Sequence, residues 1–170
     1  MQQAQSEGVV SAMSQAADPQ QVAQDLASQL LHPHLGFVLF FCSAEYPLHT
    51  LGPALQQSFG GIPLVGCTSA GEITPLGYGR NCVTAIGFDH RHFSIAAELI
   101  DQMEHFSLID AQQMVERLVG RCRSNTLAPI KGNSFALTLL DGLSSREEMV
   151  LAALLSLIHI SEPTRLRRIS

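Results

Sequence analysis

The sequence predicts an α/β protein: a layered, mixed sheet with helices packed on it. Apolar runs of strand length alternate with segments whose apolar residues recur at every fourth position. One such run, "FVLFF", is continuous, the pattern of a strand covered on both faces. Proline, glycine and capping residues punctuate the boundaries between the two kinds of segment. The 170 residues, 46% hydrophobic and 15% charged, have the composition of a folded globular chain and set an expectation of one domain.

The elements follow in order. After a polar lead, residues 1–7, Val9 and Val10 signal a short strand. Asp18-Pro19 then opens a helix, with Asp18 as N-cap and proline at the first helical position, where an N–H has no intrahelical acceptor. Val22, Leu26 and Leu30 form its apolar stripe with Ala23 and Ala27 beside them, and it ends at "HPHLG". "FVLFF" is the second strand. Leu51, Leu55 and Phe59 mark a second helix from Leu48 to Phe59, stopped by Gly60-Gly61 and Pro63. "IPLVG" reads as a third strand ending in Val65. "NCVTAIGF" and "FSIAAELI" alternate as two strands of a hairpin across the polar turn "DHRH". Met114, Leu118 and Cys122, flanked by Val115 and Val119, give a helix from Asp110 to Cys122. Phe135 to Leu140 reads as a strand, followed by the turn pair Asp141-Gly142 and a helix with Ser145 as N-cap and Glu148 closing a capping box.

Net charge is −5, so the bulk electrostatics recruit neither nucleic acid nor an anionic membrane surface. No run reaches the roughly 18 apolar residues of a membrane span, and no basic segment precedes an apolar one at the N-terminus; the chain reads as cytoplasmic. Four cysteines without a C-x-x-C pair exclude a zinc ribbon and a dithiol redox motif. Two H-x-H pairs, His32/His34 and His90/His92, would share a face on a strand and could then hold a metal. They sit beside Pro33 and inside a charged turn with no third ligand in sequence range, so they read as solvated loops and no metal is expected.

The stretch "PLVGCTSAGEITPLGYG", Pro63 to Gly79, concentrates tiny residues at a strand end. As a binding site, Gly66 and Gly71 allow close backbone approach or positive φ, Thr68 and Ser69 offer hydroxyls beside Cys67, and Glu72 orients a ligand or caps the local backbone. Asp141 and Gly142 would line the adjacent strand end, although they are equally an ordinary turn pair. Ligands of open α/β sheets sit outside such carboxyl ends. The alternative is a hydrolase or transferase in which Cys67 is the nucleophile, a histidine the base and backbone N–H groups the oxyanion donors. That chemistry needs a cation or helix N-terminus to stabilise the thiolate. Neither is evident in the sequence, which favours a buried Cys67 acting as a small hydrophobe, with no catalytic residue.

Together, "VGCTSAGEI", "LDGLSSREE" and the strand and helix order around them resemble the N-terminal part of the FIST domain, a sensory input module of bacterial signalling proteins, over residues 8–154. "GCTSAGEITPLGY" is similar to the branch that includes the nitric-oxide-sensing haem protein. The resemblance implies a small-molecule ligand, haem in the intact parent, and a signalling partner such as a histidine kinase or a diguanylate cyclase. It implies no catalysis, and it identifies no haem-ligating histidine here. The family's second glycine-rich segment and C-terminal domain would follow Leu154. In their place "LSLIHISEPTR", Leu155 to Arg165, resembles residue for residue one translated frame of the transposase adapter used in sequencing libraries. Residues 155–170 are therefore expected to be adventitious, their arginines uninformative about partners, and the domain at 8–154 incomplete.

Overall fold

The computed structural model describes residues 7–74, 77–101, 106–140, 150–152 and 154. They fall in two compact units, Met1–Ser94 and Ile95–Ser170.

The first unit contains β1 (Val9–Ser14), α1 (Pro19–Leu30), β2 (Leu35–Ser43), α2 (Leu48–Phe59), β3 (Leu64–Ser69), β4 (Glu72–Thr74), β5 (Gly77–Gly79) and β6 (Val83–Asp89). Four strands make one mixed sheet in the order β1-β6-β2-β3, and β4-β5 form a separate antiparallel pair. β6 runs antiparallel to both β1 and β2, whereas β2 and β3, joined through α2, are parallel. This is the mixed α/β class that the alternation of strand and helix signals predicts.

Local chemistry fixes the helix ends. The Asp18 carboxylate accepts the Gln21 N–H and starts α1. Gly60, left-handed at φ 59°, closes α2 while its N–H donates to the Gln56 carbonyl. Val22, Leu26 and Leu30 of α1 and Leu51, Leu55 and Phe59 of α2 are buried in one cluster with Ala12, Val38, Cys42, Val83 and Ala85 of the sheet. The strand register places Phe37, Leu39 and Phe41 on the other face beside Phe88, Ile86 and Thr84. Apolar residues on both faces of β2 are why its sequence is an unbroken run rather than an alternation.

Asp89, buried where β6 ends, receives Arg91 through Nε at 3.1 Å and Nη2 at 2.7 Å. Those hydrogen bonds hold its carboxyl well below the usual carboxylate range. Because the folded value is depressed, this contribution to stability is present above the unfolded value of about 3.9 and is lost as pH falls below it. Arg91→Ala is expected to return Asp89 towards that value, so acid unfolding followed by circular dichroism should begin at a higher pH. An unchanged acid midpoint would uncouple the pair from folding.

In the second unit α3 spans Leu108–Ser124. It starts two residues earlier than the apolar stripe predicts because Ser107 and Asp110 form a reciprocal capping box. Two predicted strands are corrected: "FSIAAELI" and Phe135–Leu140 are irregular. A strand is completed by backbone pairing, and neither segment pairs among the described residues; Leu99 is 81% and Phe135 88% exposed. Asp141, Gly142, the Ser145/Glu148 capping box and residues 155–170 lie outside the described residues. Among the described residues no helix is long and apolar enough to cross a membrane.

Candidate functional site

The site is assembled where β2 and β3 end side by side. β3 continues past Val65 to Ser69, so Gly66, Cys67 and Thr68 are strand residues rather than a loop beyond it. Pairing with β2 enforces this: Phe40 lies opposite Gly66, Phe41 opposite Cys67, Cys42 opposite Thr68 and Ser43 opposite Ser69.

The glycines answer to the chain's own aromatic residues. A Cβ on Gly66 would overlap the Phe40 carbonyl oxygen and come within 2.6 Å of the Phe40 ring. One on Gly71 would overlap the Tyr78 hydroxyl and come within 2.6 Å of its Cε2. Neither has a positive φ, so close approach, not backbone handedness, selects glycine at both.

Glu72 organises the polar part. It is 3% exposed, and its carboxylate accepts Ser69 Oγ–H at 2.7 Å on one oxygen and Ser43 Oγ–H at 2.9 Å on the other. Cys82 Sγ–H adds a third bond at 3.3 Å, and the Cys82 N–H donates to Ser43 Oγ at 3.3 Å. One buried carboxylate thus ties the ends of β2 and β3, the β4-β5 hairpin and the entry to β6. Nearby, the Tyr46 hydroxyl lies 2.7 Å from the Ala16 carbonyl and 3.2 Å from that of Asn81. Of the predicted site residues, Ser69, Gly71 and Glu72 meet here, Thr68 is exposed beside them, and Gly66 and Cys67 lie further back along β3. Ser43, Tyr46 and Cys82 were not singled out from the sequence; each reaches the cluster through the fold.

The thiols are poorly suited to nucleophilic attack. Burial raises the pKa of Cys67, and it pushes Cys42 up to about 11. Burial, with the bond to Glu72 and its charge, pushes Cys82 to about 11 as well. Each therefore holds its proton at neutral pH, opposite to what a nucleophilic cysteine requires. Cys67→Ser is expected to cost about 1 kcal/mol through lost apolar burial. Iodoacetamide should label Cys67 no faster than an unfolded cysteine; rapid stoichiometric labelling would restore the nucleophile reading.

At the opposite end of the sheet the fold brings the two H-x-H pairs together. The His34 and His90 rings are 5.6 Å apart and those of His32 and His34 6.5 Å apart. His34 N–H donates to His32 Nδ1 at 3.2 Å and His90 N–H to the His34 carbonyl at 2.9 Å. Among the described residues, no three His, Cys, Asp or Glu side chains form a group able to hold a metal ion.

No curated protein and no solved structure gives a significant match to this chain. The FIST N domain family matches residues 36–161, a span that takes in all of β2 but its first residue, the whole Pro63–Gly79 stretch and α3 and reaches into the segment beyond Leu154. On that match over most of its length, the chain belongs to the FIST N domain family, small-ligand sensory domains of signal transduction.

Proposed function

We propose that the ligand sits outside the carboxyl ends of β2 and β3, against Thr68, Ser69 and Gly71, and that Glu72 holds this wall in shape rather than touching the ligand. The observation that carries the reading is the buried Glu72 cluster. Its two oxygens already accept from Ser43, Ser69 and Cys82, which leaves the exposed Thr68 hydroxyl and nearby backbone to face outward. Rigid support behind a small, partly exposed rim is what a preorganised binding surface needs.

We further propose haem as that ligand and nitric oxide as the signal, on the similarity of "GCTSAGEITPLGY" to the haem-containing branch, with a histidine kinase or diguanylate cyclase as the cytoplasmic partner. None of the residues of the Glu72 cluster is a histidine, and its Cys82 thiol is held protonated. His32, His34 and His90 lie at the far end of β2 and cannot serve this rim. The described histidine on the right side is His49, exposed in the first turn of α2, which begins just past the carboxyl end of β2. A nitrogen of His49 would hold the iron, while the Thr68 hydroxyl would face the polar edge of the group; bound haem would supply the iron that takes up nitric oxide.

The purified chain, titrated with haemin and reduced, should develop a Soret band that shifts with nitric oxide. His49→Ala should alter that band. Thr68→Trp, at an exposed position, should abolish it without unfolding the sheet. A protein that stays colourless removes haem, and a normal band in Thr68→Trp removes this location for it. We also propose that residues 155–170 are adventitious: adapter-free resequencing of the locus should read a different continuation after Leu154, and recovery of the same tail would overturn this.

A further inference from the structure

β1 and β3 are the outer strands of the four-stranded sheet, and the chain treats their edges differently. At β1 the Gln29 side chain of α1 donates to the Met13 carbonyl at 2.9 Å and accepts the Met13 N–H at 3.3 Å. Its amide takes the place of a further strand, so the β1 edge is blocked at Met13. The β3 edge has no such cover among the described residues. The Val38 N–H donates to the Pro63 carbonyl, which fixes the phase of the β2–β3 ladder. Val65, Cys67 and Ser69 therefore turn their N–H groups to β2, and Leu64, Gly66 and Thr68 turn their N–H and carbonyl groups outward. Among the described residues no hydrogen bond reaches those outward groups.

Edge strands commonly avoid joining others through charge, proline or a bulge. β3 has none of the three: its sequence is "LVGCTS" and its register with β2 is unbroken. From Tyr46 to Gly71 the chain contains no Asp, Glu, Lys or Arg, so α2 and the β3 edge together form a neutral stretch in a chain of net charge −5.

We propose that a second copy of this chain occupies this edge, with β3 antiparallel to the partner's β3 about a two-fold axis at Gly66. In that register Gly66 and the partner's Gly66 exchange N–H···O bonds, as do Leu64 and the partner's Thr68, so every outward group of β3 finds a partner. A neutral edge meets its own copy without like-charge repulsion, and a charged segment of another protein would find no counter-charge there. The pairing uses up the open edge and leaves the two Gln29-blocked β1 strands outermost, so association stops at the dimer.

Sedimentation velocity of the full chain without haemin, over a wide range of concentration, should show a reversible monomer–dimer equilibrium and no larger species. Hydrogen exchange read residue by residue should slow at Leu64, Gly66 and Thr68 as the dimer forms, and stay unchanged at Val65, Cys67 and Ser69, whose N–H groups already face β2. Thr68→Pro removes an outward donor from each protomer, spares the ladder to β2 and sits where an edge strand tolerates proline. It should weaken the dimer by at least about tenfold, since each donor is lost twice across the two-fold axis. Should that variant fail to fold, the exchange pattern of the wild-type chain decides. The proposal is overturned by a chain that stays monomeric throughout, by assembly beyond the dimer, or by a dimer that leaves Leu64, Gly66 and Thr68 exchanging as in the monomer. It is equally overturned if those three are already fully protected in the monomer, or if folded Thr68→Pro dimerises as tightly as the wild type.

Discussion

Glu72→Ala is expected to destabilise the first unit by about 3–4 kcal/mol and to lower its midpoint by roughly 15–25 °C. The carboxylate is the shared acceptor for Ser43, Ser69 and Cys82, so its removal strands Ser43 and Cys82 in a site with almost no water access and leaves Ser69 Oγ–H only the Gly71 carbonyl at 3.3 Å. Hydrogen bonds to a charged acceptor are individually worth about 1.5–3 kcal/mol, and each orphaned donor adds its own desolvation cost. The three bonds share one acceptor, so the losses do not sum fully. Glu72→Gln keeps one acceptor oxygen, and the hydroxyl facing the new amide can rotate to accept from it, so a smaller loss of about 1–2 kcal/mol is expected. Urea unfolding of both variants checks this. A loss below about 1 kcal/mol in Glu72→Ala would mean that the carboxylate does not hold the strand ends together.

Gly66→Ala is expected to cost about 3 kcal/mol, and Gly66→Val little more, because the clash occurs at the first carbon added. The nearest obstacle is the Phe40 carbonyl oxygen. Phe40 lies in β2, which is paired on both sides, with Ala85 of β6 and Gly66 of β3, so that oxygen cannot move without disturbing the ladder. The strand that gives way is β3, and with it go Ser69 and the support of Glu72. Gly52 in α2 is the control. An added Cβ there meets nothing within 4 Å, so Gly52→Ala should stabilise by about 0.5–1 kcal/mol through helix propensity. If Gly66→Ala were as benign as Gly52→Ala, the small residues of β3 would not be explained by close packing.

These two substitutions also mark where the sequence is informative. α1 and α2 are legible because their determinants are local: Asp18 and Pro19 at one start, Gly60 at one stop, and apolar residues at every fourth position between. The extension of β3 to Ser69 is not legible, because small polar residues have weak strand preference and pairing with Phe40 through Ser43 decides the matter. For "FSIAAELI" and Phe135–Leu140 the alternation is present but the pairing is not, and tertiary context overrides the pattern. Glu72 stood out in the sequence as the lone carboxylate among tiny residues. Its partners did not, since Ser43 is 29 residues away and Cys82 10, and no local spacing connects them. The FIST resemblance rests on this Pro63–Gly79 stretch together with "LDGLSSREE" and the element order around them, and the family match over residues 36–161 includes both stretches.

The central claim is that a small ligand binds outside the carboxyl ends of β2 and β3, and backbone hydrogen exchange of the chain with and without haemin tests it directly. The account predicts protection concentrated at Gly66 to Glu72 and in the first turn of α2 around His49, with no change at His34 and His90 on the opposite end of the sheet. Protection at His32, His34 and His90 with none at Gly66 to Glu72, or no protection anywhere at saturating haemin, would contradict it.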